Sequence, residues 1–153
     1  MKPLQIILFS LILFSACVTE DISKRIPIGM IANAGADSFA TENAGFSFTF
    51  GNVLRIEGVT DDSLRIILEL DSADQPGIYD LSNTALYEGI FIDSMKNVYS
   101  SKFTGVGSVE ITRLTQTTAE GTFQFTGRNL NRGNINISEG SFSVARYAIR
   151  IEE

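Results

Sequence analysis

Residues 122–126 read Thr-Phe-Gln-Phe-Thr, aromatic and polar side chains alternating with a period of two. A strand with this period turns one face to a core and the other to water, whereas a helix scatters the same residues around its axis. The pattern recurs along the chain. Phe46, Phe48 and Phe50 alternate with Ser47 and Thr49, and Val109 and Ile111 with Ser108, Glu110 and Thr112. Ile135 and Ile137 alternate with Asn134, Asn136 and Ser138, and Phe142 and Val144 with Ser141 and Ser143. One wet face per strand marks an antiparallel sheet rather than a doubly covered parallel one. Leu64 to Leu70 fits a helix through Leu64, Ile67 and Leu68, but fits a strand through Leu64, Ile66, Leu68 and Leu70 without a miss. The run is short, with Asp61-Asp62 before it and Pro76-Gly77 ending the loop behind it, which favours the strand.

Turn chemistry punctuates the chain at Asn33–Gly35, Gly51-Asn52, Asp61-Asp62, Pro76-Gly77, Thr115–Thr118, Asn129–Asn134 and Glu139-Gly140. Short strands so spaced predict an all-β fold, a single antiparallel β-sandwich or a partly open β-barrel. Near the C-terminus the phase slips from even-numbered Phe142 and Val144 to odd-numbered Tyr147, Ile149 and Ile151. A β-bulge or a change of sheet at Ala145-Arg146 would produce that slip. No helical pattern of ten residues or more, internal repeat or low-complexity tract is evident after residue 16.

Residues 1–16 read as an address rather than as fold. Lys2 supplies the positive charge, Leu4 to Phe14 the apolar run, and Ser15-Ala16 the small residues that a signal peptidase accepts. The uncharged run is at the short edge of the ~20 residues that span a bilayer, so an uncleaved anchor is the second reading. Cys17, the chain's single cysteine, follows at once. The stretch Leu13-Phe14-Ser15-Ala16-Cys17 resembles a bacterial lipoprotein signal at Ser15, Ala16 and Cys17, with Phe14 where leucine is commoner. The resemblance implies cleavage between Ala16 and Cys17, diacylglycerol on the Cys17 sulfur and an acyl chain on its amine. Two or more acyl chains hold a protein on a bilayer where one does not. Residues 17–29 then form a lipidated tether and residues 30–153 the all-β domain. Val18 after the cysteine resembles outer-membrane sorting. Glu20-Asp21 resembles the acidic surface-export signal of Bacteroidota lipoproteins, though a solvated linker explains two acids equally well.

The whole chain has 153 residues and a formal charge of −6, which argues against nucleic acid as partner. It has no His, no Trp and only one Cys, so His-dependent catalysis, His metal sites, intramolecular disulfides and cysteine-cluster metal sites are excluded. What chemistry remains lies in carboxylates. Asp61, Asp62, Asp71, Asp74, Asp80 and Asp93 are candidates for a glycosidase pair, and Asp71 with Asp74 for a loop calcium site lacking EF-hand spacing. Lys24, Lys96 and Lys102 read as solvated rather than as partners of a nucleophilic serine. Gly105-Val106-Gly107 is a lone G-x-G before a strand, not between a strand and a helix, and so a weak phosphate signal. Arg128 and Arg132 bracket an Asn-rich loop and could hold an anion. Tyr79, Tyr87, Tyr99 and Tyr147 would suit a sugar platform or, more simply, a sheet edge with wet hydroxyls.

Four segments carry a second resemblance: Gly77–Leu81, Gly107–Thr112, Gly121–Phe125 and Ile135–Val144. Their strand-and-turn order over residues 30–147 resembles small Bacteroidota lipoproteins with a β-rich domain of unknown function. It implies fold and location and brings no catalytic residues. The expected protein is therefore a lipoprotein of the bacterial outer membrane, on its periplasmic or surface face. Its β-domain is expected to be non-catalytic, to need no cofactor or metal beyond the lipids on Cys17, and to bind or support an envelope protein, a glycan or a small apolar ligand. A lipocalin-like carrier is the alternative, and a carboxylate-dependent glycan hydrolase comes third.

Overall fold

The computed structural model describes residues 28–147. Cys17, the signal segment and nearly all of the tether lie outside the described residues. The described chain is all-β. Its strands are β1 (Gly29–Ala34), β2 (Asp37–Thr41), β3 (Ala44–Thr49), β4 (Val53–Val59), β5 (Arg65–Asp71), β6 (Gly77–Asp80), β7 (Tyr87–Ile92), β8 (Val98–Ser100), β9 (Gly107–Leu114), β10 (Thr118–Asn129) and β11 (Gly133–Arg146). A single turn of 3-10 helix, Ser101–Phe103, follows β8.

These strands form one mixed sheet of order β2-β1-β11-β3-β4-β5-β7-β8-β10-β9-β6, and β10 also pairs with β11. The pairings from β11 through β3, β4, β5, β7, β8 and β10 therefore return to β11. Two links in that circuit are thin. β8 meets β10 at Arg128↔Ser100 alone, and β11 meets β3, in parallel, at Ala145↔Gly45 and Arg146↔Phe46. The remaining pairings are antiparallel. Ala145-Arg146, where the sequence phase slips, is where β11 takes β3 as its neighbour. Tyr147 continues along β3, its amide donating to the Phe46 carbonyl at 2.8 Å.

The inward faces are filled by the alternating apolar residues. Phe39, Phe46, Leu54, Ile56, Ile66, Leu68, Phe125, Phe142 and Val109 are almost wholly buried. Several rings lie on glycines. A Cβ at Gly140 would sit 2.6 Å from the Phe123 ring, one at Gly121 2.7 Å from Phe142, and one at Gly89 2.8 Å from Phe125. Phe123↔Gly140 and Gly121↔Phe142 are also direct cross-strand partners. The missing side chain makes the space that the opposite ring fills.

Three expectations are corrected. Glu139-Gly140 is no turn: β11 runs through it with a bulge. Two residues, Ser138 and Glu139, lie opposite the single Gln124 of β10, and Glu139 takes φ of 52°. This moves burial from the odd residues Ile135 and Ile137 to the even ones, Gly140, Phe142 and Val144. Asn33-Ala34 likewise belongs to β1, and the break begins at Gly35, φ 64°. Phe50 does not continue the Phe46–Phe48 face. The strand ends at Thr49, the chain reverses through Gly51 (φ 85°) and Asn52 (φ 65°), and Phe50 stands fully in solvent.

Candidate functional site

The sequence-predicted residues do not converge. Asp61 and Asp62 occupy the β4–β5 turn and Asp93 opens the β7–β8 turn, both at one end of the sheet. Asp71 is the last residue of β5 and Asp74 lies in the loop after it, at the opposite end. Asp93 is spent on its own turn, accepting from the Asn97 amide at 2.8 Å and the Asn97 side chain at 2.7 Å. Burial pushes its carboxyl up, but those bonds, the Met95 amide and the nearby Arg132 charge hold it below the ordinary value. Asp80 accepts the Ser82 amide at 2.8 Å, and this bond holds its carboxyl below the ordinary value. Asp71 accepts from Ser72 Oγ at 2.9 Å. No group of three metal-ligating acids forms among the described residues.

The other candidates also separate. Lys102 is half-exposed but fixed, with its Nζ 2.8 Å from Glu88 Oε2. That hydrogen bond raises its pKa and keeps the ammonium charged, the opposite of what a general base needs. Ser100 Oγ donates to the other Glu88 oxygen at 2.6 Å, and Ser101 Oγ accepts the Gly89 amide at 2.9 Å, so both hydroxyls serve the fold. Tyr79 and Tyr87 stack edge to face at 5.5 Å, with Tyr79 Oη donating to the Gln75 carbonyl. Burial raises the Tyr79 phenol above its ordinary value. Tyr99 is buried beside Phe91, and Tyr147 lies across the sheet on Gly45, so the four tyrosines form no common platform.

What the fold does assemble is an open groove of about 430 Å³ on the outward side of β6, β9, β10 and β11. Ile78 and Asp80 come from β6, Ser108 from β9, Gln124 and Thr126 from β10, Asn136 from β11, and Val106 from the loop before β9. Register sets their order. Asp80 faces Ser108, Ser108 faces Gln124, and Thr126 faces Asn136, so carboxylate, hydroxyls and amides form rows across the strands. The loop wall is held by backbone bonds. The Thr126 amide donates to Val106 O at 3.1 Å and the Leu81 amide to Gly107 O at 3.0 Å. Thr104 Oγ1 donates to Thr126 O at 2.5 Å. Gly107, with φ of 138°, lies against the Gln124 carbonyl and Phe125 Cα, where a Cβ has no room.

The outward side of β4, β5, β7 and β8 is chemically different. Glu57 takes Arg55 Nε and Arg65 Nε, each at 3.1 Å, and Arg55 Nη1 reaches Glu69 Oε1 at 2.6 Å. Glu69 and Glu88 are directly opposed in register, yet each carboxylate has its own cation. Beneath these charges Ile67 is only 4% exposed on an outward position. The long side chains of such a lattice shed water from apolar surface with their stems.

Sequence reading missed the groove because Ser108, Gln124, Thr126 and Asn136 look like ordinary solvent-facing strand residues. Only the register brings them together, and alternation alone does not give register.

Residues 30–145 match a domain of unknown function, DUF6252. The fold and this match define an all-β domain spanning most of the chain, and the protein belongs to the DUF6252 family. No curated protein and no solved structure matches it.

Proposed function

We propose that the protein is a lipid-anchored lipoprotein of the bacterial outer membrane whose β-domain is a non-catalytic binding or envelope-support module. The observation that carries this reading is the order Lys2, apolar run, Ser15-Ala16 and lone Cys17, followed about a dozen residues later by the first strand at Gly29. The lipids on Cys17 would hold the chain at the bilayer, and the β6–β9–β10–β11 groove is the surface with uncommitted hydrogen-bonding side chains. Local turn bonds to Asp80 and Asp93, and a charged Lys102, support binding over hydrolysis. The fully buried rings of Phe39, Phe46, Phe125 and Phe142 weigh toward a module with a filled interior and against a carrier of an apolar ligand.

The test is Cys17→Ala. The variant should lose palmitate labelling and leave the membrane fraction, and persistent labelling would sink the anchored reading. Protease shaving of intact cells, with a periplasmic protein as leakage control, then assigns the face. Digestion of the domain points to extracellular partners, and survival until the outer membrane is broken points to periplasmic ones. An apolar ligand found by native mass spectrometry would instead favour the carrier.

A further inference from the structure

The loop between Arg128 and Arg132 does not stand alone. Asn129 Nδ2 donates to the Val98 carbonyl at 2.9 Å, tying the β10–β11 turn to the β7–β8 turn. The two turns together expose apolar side chains, Leu130 (71%) on one and Met95 (70%) and Val98 (48%) on the other. They also gather basic charge. Among the described residues Arg55, Arg65, Lys102 and Arg113 pair with glutamates, and Arg146 lies over the Phe48 ring. The remaining cations, Lys96, Arg128 and Arg132, all sit on or beside these turns and form no ion pair among the described residues. On an acidic chain that is a marked local reversal of sign.

Asp93, held in the turn by Asn97 and close enough to Arg132 for the two charges to interact, offsets one of these three cations and leaves the two turns net positive. Asp61 and Asp62 lie at the same end on the β4–β5 turn, which borders the β7–β8 turn because β5 pairs with β7, so the positive charge is concentrated on the β10 side of the tip.

We infer that this paired-turn tip is a second membrane contact, in which Met95 and Leu130 enter the headgroup layer of an anionic bilayer and Lys96, Arg128 and Arg132 meet its phosphates. Charge complementarity and the apolar apices support a lipid surface. Size disfavours a stable protein partner, since a few side chains fall far short of the ~800 Å² per partner that such an interface needs. A weak contact is enough where an anchor keeps its target at high local concentration. The inference rests on the anchored reading, and the lengths allow it. Gly29 pairs with Ser143, and from there β11 runs back to Gly133 at the tip over about 33 Å. The residues between Cys17 and Gly29, fully extended, reach at most about 40 Å, so the tip can lie on the bilayer that holds the lipid.

The test uses the full-length lipidated protein reconstituted into phosphatidylcholine vesicles, with or without an equimolar share of phosphatidylglycerol. Lipidation blocks Cys17, so Leu130→Cys and, separately, Phe50→Cys each take one environment-sensitive fluorophore. The label at position 130 should shift to the blue and be quenched by doxyl-labelled lipid in phosphatidylglycerol vesicles, and high salt should weaken the effect. The label at position 50, at the far end of β3, should stay in water. Adding Lys96→Glu and Arg132→Glu to Leu130→Cys should lower the lipid-quenched fraction at least about tenfold. A position-130 label that stays in water in both vesicles overturns the inference, as does equal quenching at position 50. So does a position-130 label that dries only on addition of a protein extract. A chain that takes a second label at Cys17 and fails to float with vesicles overturns the anchored reading and the tip with it.

Discussion

The outward side of β9–β10–β11 and the outward side of β4–β5–β7 have the same backbone pattern and opposite chemistry. The first presents Ser108, Gln124, Thr126 and Asn136 beside a groove. The second is closed by Arg55, Glu57, Arg65 and Glu69 in mutual ion pairs over a buried Ile67. Saturated side chains leave little for a ligand to bind, whereas unengaged ones exchange water for a ligand at low cost. The difference teaches where binding is to be sought. It also separates two kinds of stability: ring-on-glycine packing behind the groove, and charge pairing on the other side.

The largest expected effect tests the packing side. Phe142→Ala removes a fully buried ring and should cost about 3–5 kcal/mol in urea unfolding. Gly140→Ala forces the Phe123 ring aside and should cost about 1–3 kcal/mol. A neutral Gly140→Ala would show that the rings are not held against the glycines.

The ionic side should respond less, and in a salt-dependent way. Glu57→Gln strips a mostly buried carboxylate from two half-exposed arginines and should cost about 1–2 kcal/mol at low salt, with a smaller loss at high salt. A salt-independent loss would assign the effect to packing over Ile67 instead.

The pH limbs divide in the same manner. Asp93 has a folded pKa below 3.8, so its contribution is present above that value and is lost as pH falls through the folded one. Asp93→Asn should therefore flatten part of the acid limb of a denaturation curve. Lys102 has a folded pKa above 10.5, so its contribution is complete below that value and is lost as pH rises through the folded one. Lys102→Met should blunt the alkaline limb.

The smallest stability effect belongs to the groove. Gln124→Ala and Asn136→Ala should each stay within about 0.5 kcal/mol of the parent on thermal melts. Lost binding of an envelope component at unchanged stability would separate the groove from the scaffold.

Alternation made the all-β class legible, because Phe123, Phe125, Val109 and Ile111 needed no partner to reveal their inward faces. The strand reading of Leu64–Leu70 was legible by length, and β5 carries all of it but Leu64. Register was hidden, and with it the row Asp80–Ser108–Gln124 and the tie of Asn129 to Val98. Phe50 failed because alternation takes no account of where a strand must stop, which Gly51 and Asn52 decide. Glu139-Gly140 failed because a turn and a bulge use the same residue chemistry. A glycine after an acidic residue fits both, and only the neighbouring strands choose.

The bulge at Ser138–Glu139 acts on β11 as a frameshift acts on a coding message. It lets inward residues that are odd-numbered up to Ile137 continue as even-numbered ones from Gly140 while β10 opposite stays in phase. Deleting Glu139 alone would restore plain alternation with Ile137, Gly140 and Phe142 still inward, and should be tolerated. Deleting Ser138 and Glu139 together would present Phe142 and Val144 to water and drive Ser141 and Ser143 into the core, whereas the loop at residues 72–76 carries no such parity.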